Sequence, residues 1–140
     1  MGEESRKTVV NSWNEWDPLK HVIVGRADGH MVQAPEIAVQ REWPEQGFPL
    51  GSYGPYPKEM EEKANEQLDN FVKILESRGV RVDRPTPLDF SQTVQTPDWV
   101  QNSMVGCAPP RDLLLTVGNE ILESTMSLRS RWYEYLCYRP

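Results

Sequence analysis

One pair of charged residues is of the types that could bind a charged ligand. Arg111 and Asp112 follow two prolines and precede the apolar run Leu113 to Leu115. Loops at the ends of buried strands often line sites, and the two oxygens of an aspartate can grip a planar guanidinium group. Aspartate is also common in turns. Spacing alone therefore favours a local ion pair or turn at Asp112, with a guanidinium site as the alternative.

The chain has two cysteines and two histidines, the residue types that most often act as nucleophiles, bases or metal ligands. Cys107 has no histidine near it in the sequence, and Cys137 lies among aromatic residues, so both are interpreted as buried thiols. His21 opens an apolar run and His30 lies in a loop, where structural or solvated roles are the simpler interpretation. No cysteine or histidine spacing indicates a metal site. We expect no catalytic residue and no metal ligand among these four.

Composition excludes several classes of partner. The net charge of −6 opposes binding to nucleic acid. The glycines match no nucleotide-binding loop, so no cofactor is expected. No apolar run approaches the ~20 residues that would cross a bilayer, so no membrane insertion is expected. The first residues resemble neither a signal peptide nor a transit peptide, and the expected compartment is the cytosol.

A strand, a long loop, a helix and a second strand make up the first part of the chain. The β-branched run Val22 to Val24 predicts a buried strand. Pro57 and the acidic residues after it predict a helix that ends near Arg78 and Gly79. Alternating residues 80–84 predict the next strand. The order is typical of an α/β unit in which the helix covers one face of a shared sheet.

A second unit begins further on. The run 112–117 predicts a strand, Gly118 and Asn119 predict a hairpin turn, and residues 120–123 predict its partner. Residues 127–138 predict a helix with Leu128, Trp132, Tyr135 and Leu136 on one side. No closing strand follows. We therefore expect an incomplete α/β piece with an unpaired edge and an uncovered apolar face. The predicted divisions are a flexible N-terminus (1–8), a first unit (9–89) with a long loop at 27–57, and an incomplete second unit (90–140).

Several short motifs occur in the order found in a known enzyme family. Asn14-Glu-Trp-Asp-Pro-Leu19 followed by Val22-Ile-Val-Gly25 resembles the opening of the arginine:glycine and inosamine-phosphate amidinotransferases. The resemblance continues from about residue 9 to the last residues. It runs through Gly79-Val-Arg-Val82, Arg84-Pro85, Thr96-Pro97-Asp98, Pro110-Arg-Asp112, Val117-Gly-Asn-Glu-Ile121, Ser127, Arg129 and Arg131.

The resemblance implies a propeller of five β-β-α-β units, of which this chain would hold the first blade and the start of the second. It implies transfer of an amidino group from L-arginine, through a covalent cysteine intermediate, to an amine acceptor such as glycine. The product with glycine would be guanidinoacetate, the precursor of creatine. It also implies that Asp112 contacts the substrate arginine, and leaves a homodimer open as the assembly.

The sequence departs from the family at the catalytic residues. The family's catalytic cysteine and its acid/base histidine lie downstream of the region present here, and Cys107 and Cys137 match neither. We therefore expect the N-terminal portion of an amidinotransferase, inactive by itself. Two alternatives stay open: a guanidine hydrolase of the same superfamily, in which water replaces the amine, and a non-catalytic binding or regulatory module.

Overall fold

A computed structural model of the 140-residue chain describes residues 9–42 and 53–140. The predicted flexible terminus and residues 43–52 of the predicted loop lie outside them. The strands, β1 to β8, are His21–Ile23, Met31–Val32, Gly54–Pro55, Arg81–Asp83, Val94–Gln95, Val100–Gln101, Leu114–Val117 and Glu120–Glu123. The α-helices, α1 to α3, are Ile37–Glu42, Lys58–Ser77 and Pro110–Leu113, and two 3₁₀ helices span Arg129–Arg131 and Glu134–Tyr138.

The predicted strand-helix-strand unit is confirmed. β1 pairs in parallel with β4, so that His21 lies opposite Arg81 and Ile23 opposite Asp83. α2 connects the two strands and packs against β4. Gly79 ends the helix with a φ of 76°, a conformation that costs glycine little. The three- and four-residue spacing of the apolar residues on α2 predicts one apolar stripe. Four of its members are half-buried (Ala64, Leu68, Val72 and Leu75), whereas Met60 and Phe71 are exposed.

The predicted long loop contains secondary structure in its described residues, 27–42 and 53–57. Residues 27–57 contain α1 and two short strands, β2 and β3, which pair antiparallel. Side-chain hydrogen bonds fix the segment before α1: Ser103 Oγ accepts from the backbone N–H of Ala34, and Gln101 Nε2 donates to its carbonyl. These contacts join residues more than sixty positions apart, which no local pattern could indicate.

A short hairpin, formed by β5 and β6, lies between Pro85 and Pro110, where no strand was predicted. Thr96 closes its turn, because Oγ1 accepts from the backbone N–H groups of Asp98 and Trp99. A threonine oxygen can replace a backbone acceptor in this way.

The hairpin of β7 and β8 is confirmed, with its turn at Gly118. The prediction that its first strand starts at Asp112 is wrong, since Asp112 and Leu113 belong to α3. Pro110 suits the first turn of a helix, and the N–H of Leu114 donates back to the Pro110 carbonyl where the strand begins.

The predicted helix at 127–138 is two 3₁₀ helices, and the side predicted to be apolar is not the buried one. Ser130, Glu134 and Cys137 are buried, whereas Trp132 and Leu136 are exposed. Tertiary hydrogen bonds explain the burial of the first: the Ser130 hydroxyl lies 3.0 Å from Glu36 Oε1 and 2.8 Å from Gln33 Oε1.

The core draws on both halves of the chain. Its buried cluster consists of Met31, Phe90, Met104, Cys107 and Cys137. Backbone hydrogen bonds join the halves at Ser12 with Gly118 and at Arg26 with Cys107. Within the described residues, the strands form four two-stranded sheets. The structure is thus α/β as predicted. No helix within residues 9–42 and 53–140 combines the length and apolarity that a membrane span requires.

Candidate functional site

Asp112 lies in α3, the short helix that leads into the β7–β8 hairpin. Its side chain is about half exposed (48%). Carboxylate Oδ2 accepts a hydrogen bond from Arg131 Nη1 at 3.0 Å, across 19 residues of sequence. Arg111 does not pair with it; the Arg111 guanidinium lies 3.4 Å from Glu15 instead. Asp112 therefore holds a guanidinium group, one supplied by its own chain.

Arg131 is held from its other side by Glu134. Arg131 Nε donates to Glu134 Oε2 at 3.0 Å, and Nη2 lies 3.0 Å from the same oxygen without the angle of a hydrogen bond. Only 15% of the Arg131 side chain and 1% of the Glu134 side chain are exposed. A charge pair removed from water is strongly coupled, since each member would be costly to bury alone. Glu134, Arg131 and Asp112 thus form a row of alternating charge that runs from the interior to the surface.

Burial and pairing act on these groups in opposite directions. Burial raises the pKa of Glu134, and the hydrogen bond and charge of Arg131 only partly oppose it. Burial lowers the pKa of Arg131, but its bonds to Glu134 and Asp112 outweigh that and leave the pKa raised. Arg131 is therefore a permanent cation at this position.

His30 lies close enough to Arg131 to be affected by its charge, and no hydrogen bond joins the two side chains. Its ring packs on the backbone of Gly106 and meets the ring of Tyr56 edge-on, at 6.1 Å between centroids. Burial lowers the pKa of His30, and the positive charge of Arg131 lowers it further, against a raising effect of Glu61. His30 is thus a neutral, packed residue, as its loop position suggested.

His21 has a structural role. Its Nε2 lies 2.7 Å from Asp83 Oδ2, across the parallel pairing of β1 and β4. Arg81 shares the same carboxylate at 3.2 Å. The contact ties the two strands of the first unit together.

Neither cysteine is placed as a nucleophile. Cys107 and Cys137 are both free and buried, and their thiols interact with each other. The neighbouring thiol of Cys137, and then burial, raise the pKa of Cys107. Because the thiolate is the reactive form, the raised pKa makes Cys107 inert. The Cys107 thiol lowers the pKa of Cys137, but Cys137 is buried and therefore out of reach of a substrate. Among residues 9–42 and 53–140, no three metal-ligating side chains come together.

One surface groove among the described residues does not include Asp112 in its lining. It measures about 370 Å³ and is lined by Ile23, Leu114, Ile121, Leu122, Glu123 and Tyr138. Its only carboxylate, Glu123, is held by the Arg139 guanidinium through two bonds of 3.0 and 2.7 Å. The groove is therefore mostly apolar.

Sequence reasoning singled out Asp112 but missed the partners that fix it. Arg131 and Glu134 are three residues apart, the spacing of a helical ion pair, and that signal was present in the sequence. Most such pairs lie on exposed faces. The burial of this one depends on packing that the sequence does not display.

Known proteins with sequences similar to this chain are amidinotransferases. The chain is 43% identical over 134 residues to the mitochondrial glycine amidinotransferase of Danio rerio, covering 94% of this chain and 32% of that protein. It is 38% identical over 136 residues to an L-arginine:L-lysine amidinotransferase of Pseudomonas savastanoi pv. phaseolicola, covering 93% of this chain and 36% of that protein. The chain thus spans about a third of the length of these relatives. No protein-family model matches it.

Solved structures agree in fold and sequence. An inosamine-phosphate amidinotransferase from Streptomyces griseus superposes with a TM-score of 0.85 at 37% identity, covering 95% of this chain and 39% of that one. An amidinotransferase of the saxitoxin pathway from Microseira wollei gives 0.80 at 40% identity, covering 93% and 38%. Likeness at this level extends beyond backbone shape to the residues that the fold carries.

Proposed function

This chain is related to the amidinotransferases over nearly its whole length, and we propose that it forms the N-terminal portion of an enzyme that transfers the amidino group of L-arginine to a primary amine. The observation that carries the proposal is the combined match: 37 to 43% identity to amidinotransferases over at least 93% of the chain. A shared fold alone would not indicate an activity.

Asp112 is the proposed contact of this chain with the donor. In this structure its Oδ2 already accepts from a guanidinium nitrogen, which supports a carboxylate suited to that group. About half of the side chain faces solvent. A carboxylate anchored through one oxygen and open at the other can receive the guanidinium of L-arginine without first being reorganised.

The covalent chemistry belongs to residues outside this chain. Amidino transfer requires a nucleophile that attacks the cationic carbon of the guanidinium, expels ornithine and then yields the amidino group to an amine. Cys107 and Cys137 are buried and His30 is packed, so none of them suits the role. We assign no catalytic residue to the chain and propose that its contribution is to substrate binding.

The larger framework is also proposed. The two predicted units, 9–89 and 90–140, would be the first blade and the start of the second in a five-bladed propeller. Glycine is the proposed acceptor and guanidinoacetate the product, because glycine amidinotransferases are among the relatives. Lysine, named for the bacterial relative, is the rival acceptor. The homodimer and the cytosolic location stay predictions, and the vertebrate relatives carry a mitochondrial name.

A chimera tests the proposal. This chain would replace the matching 134 residues of the Danio rerio glycine amidinotransferase, and ornithine and guanidinoacetate would be measured with arginine and glycine as substrates. We expect activity in the chimera, none in the chain by itself, and a loss in Asp112→Asn. Asp98→Asn, at an exposed turn, serves as the matched control.

Other results would contradict the proposal in distinct ways. Products in which water has taken the place of the amine would indicate a guanidine hydrolase. A folded chimera without turnover would favour a binding or regulatory module. Turnover by the chain alone would show that its own residues carry the chemistry.

A further inference from the structure

We propose that Arg131, held in place by Glu134, is a positioning residue that fixes the carboxylate of Asp112 in the orientation needed to receive a substrate guanidinium. The role rests on the proposed function, because the orientation of Asp112 matters to catalysis only if Asp112 binds the donor.

Asp112 has little else to fix it. It lies in a four-residue helix, where its backbone N–H donates to Pro109 at a long 3.3 Å. Within the described residues, its side chain has one hydrogen-bond partner, Arg131. A half-exposed aspartate without that bond would exchange among rotamers freely.

Arg131, by contrast, is fixed at several points. Glu134 binds its Nε at 3.0 Å from a fully buried position. The residues just before it are pinned by Glu36, whose carboxylate accepts from the backbone N–H of Arg129 at 2.8 Å and contacts the Ser130 hydroxyl. Glu36 is itself 6% exposed. The Arg131 guanidinium that contacts Asp112 is therefore held in place by buried residues.

The arrangement leaves one carboxylate oxygen for a ligand. Arg131 occupies Oδ2, and among the described residues Oδ1 has no hydrogen-bond partner. Because Glu134 holds the guanidinium through Nε, Nη1 reaches Oδ2 of Asp112 from a fixed direction, whereas a lysine ammonium would supply charge without that direction. Arg131→Lys is therefore the informative change, because it keeps a cation beside Glu134 and removes the fork.

The first measurement uses the 140-residue chain itself. Three-bond NMR couplings report the χ1 angle of Asp112. We expect a single rotamer in the native chain and averaged couplings in Arg131→Lys. Arg139→Lys, which alters an exposed ion pair with Glu123, is the matched control and should leave χ1 unchanged. An Asp112 that is averaged in the native chain, or unaffected by Arg131→Lys, would overturn the inference.

The second measurement uses the chimera and separates positioning from plain stabilisation. Misplacing a binding group can cost on the order of 100-fold in rate, so we expect kcat/KM for L-arginine to fall by about 10- to 100-fold in Arg131→Lys. In an Asp112→Asn background the same change should cost almost nothing more, because the two residues act through one interaction. Equal losses in both backgrounds would identify a merely structural role and refute positioning.

A folding defect in Arg131→Lys would not block the test. Glu134→Gln keeps an oxygen acceptor for Arg131 Nε and removes the buried negative charge. We expect it to retain the single Asp112 rotamer, because the hydrogen bond to Arg131 Nε remains. Averaged couplings there would show that this bond does not hold the Arg131 guanidinium in place, and would refute the inference. An inactive native chimera would refute the proposed function, while the χ1 measurement would still decide the positioning role.

Discussion

The imidazole of His30 packs so closely on the backbone of Gly106 that a Cβ at that position would collide with the ring. Nδ1 is buried without a hydrogen-bond partner in the described part of the chain. Burial and the nearby Arg131 both disfavour the protonated form and lower the pKa of His30. A proton therefore binds His30 more weakly in the folded chain than in the unfolded one.

This difference predicts a loss of stability in mild acid. A histidine with a lowered folded pKa contributes stability that is complete above its unfolded value of 6.5 and is lost as pH falls through the folded pKa. We expect the urea midpoint to drop between about pH 7.5 and about pH 5.5, and the drop to shrink in His30→Gln. Gln67→Asn, a change at an exposed, non-titrating residue of α2, is the control and should keep the full difference. An equal drop in His30→Gln would show that other groups cause it.

At the candidate site, composition and spacing indicated the residue but not its setting. Spacing alone favoured a local ion pair or turn at Asp112, and the resemblance made a guanidinium contact the preferred hypothesis. The contact to Arg131 spans 19 residues and depends on the fold of the segment between them. The buried Glu134 could not be predicted, since acidic residues in helical segments are most often exposed.

At the scale of elements, local signals predicted those structures that local interactions stabilise. Proline at the start and glycine at the end marked α2. The hairpin of β7 and β8 followed from its glycine turn. The predictions were wrong at 112–113 and at 127–138, where α3 and the 3₁₀ helices depend on proline geometry and on tertiary bonds to Glu36. The β5–β6 hairpin was missed because its turn uses a threonine side chain.

Two glycines allow the turns to be tested against each other. Gly79 and Gly118 have φ values of 76° and 60°, in the left-handed region that costs other residues about 1 to 2 kcal/mol. At Gly79 a Cβ would meet nothing within 4 Å, whereas at Gly118 it would lie 3.0 to 3.2 Å from the ring of Trp13.

We therefore expect Gly79→Ala to lower the free energy of unfolding by about 1 kcal/mol. Gly118→Ala, as a separate single variant, should lower it by more than Gly79→Ala does. The second change also displaces Trp13 beside the paired hydrogen bonds of Ser12 and Gly118, each 2.7 Å. Urea denaturation of the two variants measures the difference. Equal losses would mean that the exposed Trp13 ring moves aside without cost.

At the scale of the whole molecule, the two predicted units are not separated by their packing. Met31, from the first, shares the core cluster with Phe90, Met104 and Cys137 from the second. Thr86 donates its backbone N–H to the Cys137 carbonyl, and Met31 donates its backbone N–H to the Val105 carbonyl, each at 2.8 Å. These contacts join the two predicted units across the boundary at residue 89.

A shared core predicts that the chain unfolds in one step. Loss of either unit would expose Met31 or Phe90 to water, so partly folded forms should be poorly populated. We expect urea transitions followed by tryptophan fluorescence and by circular dichroism to coincide. We also expect Met31→Ala to lower the free energy of unfolding by about 2 to 5 kcal/mol and to lower both midpoints together. Ile74→Ala, on the exposed side of α2 (54% exposed), is the control and should change little. Two separate transitions, with Met31→Ala moving only one of them, would show that the units fold independently and that the cluster joins them only loosely.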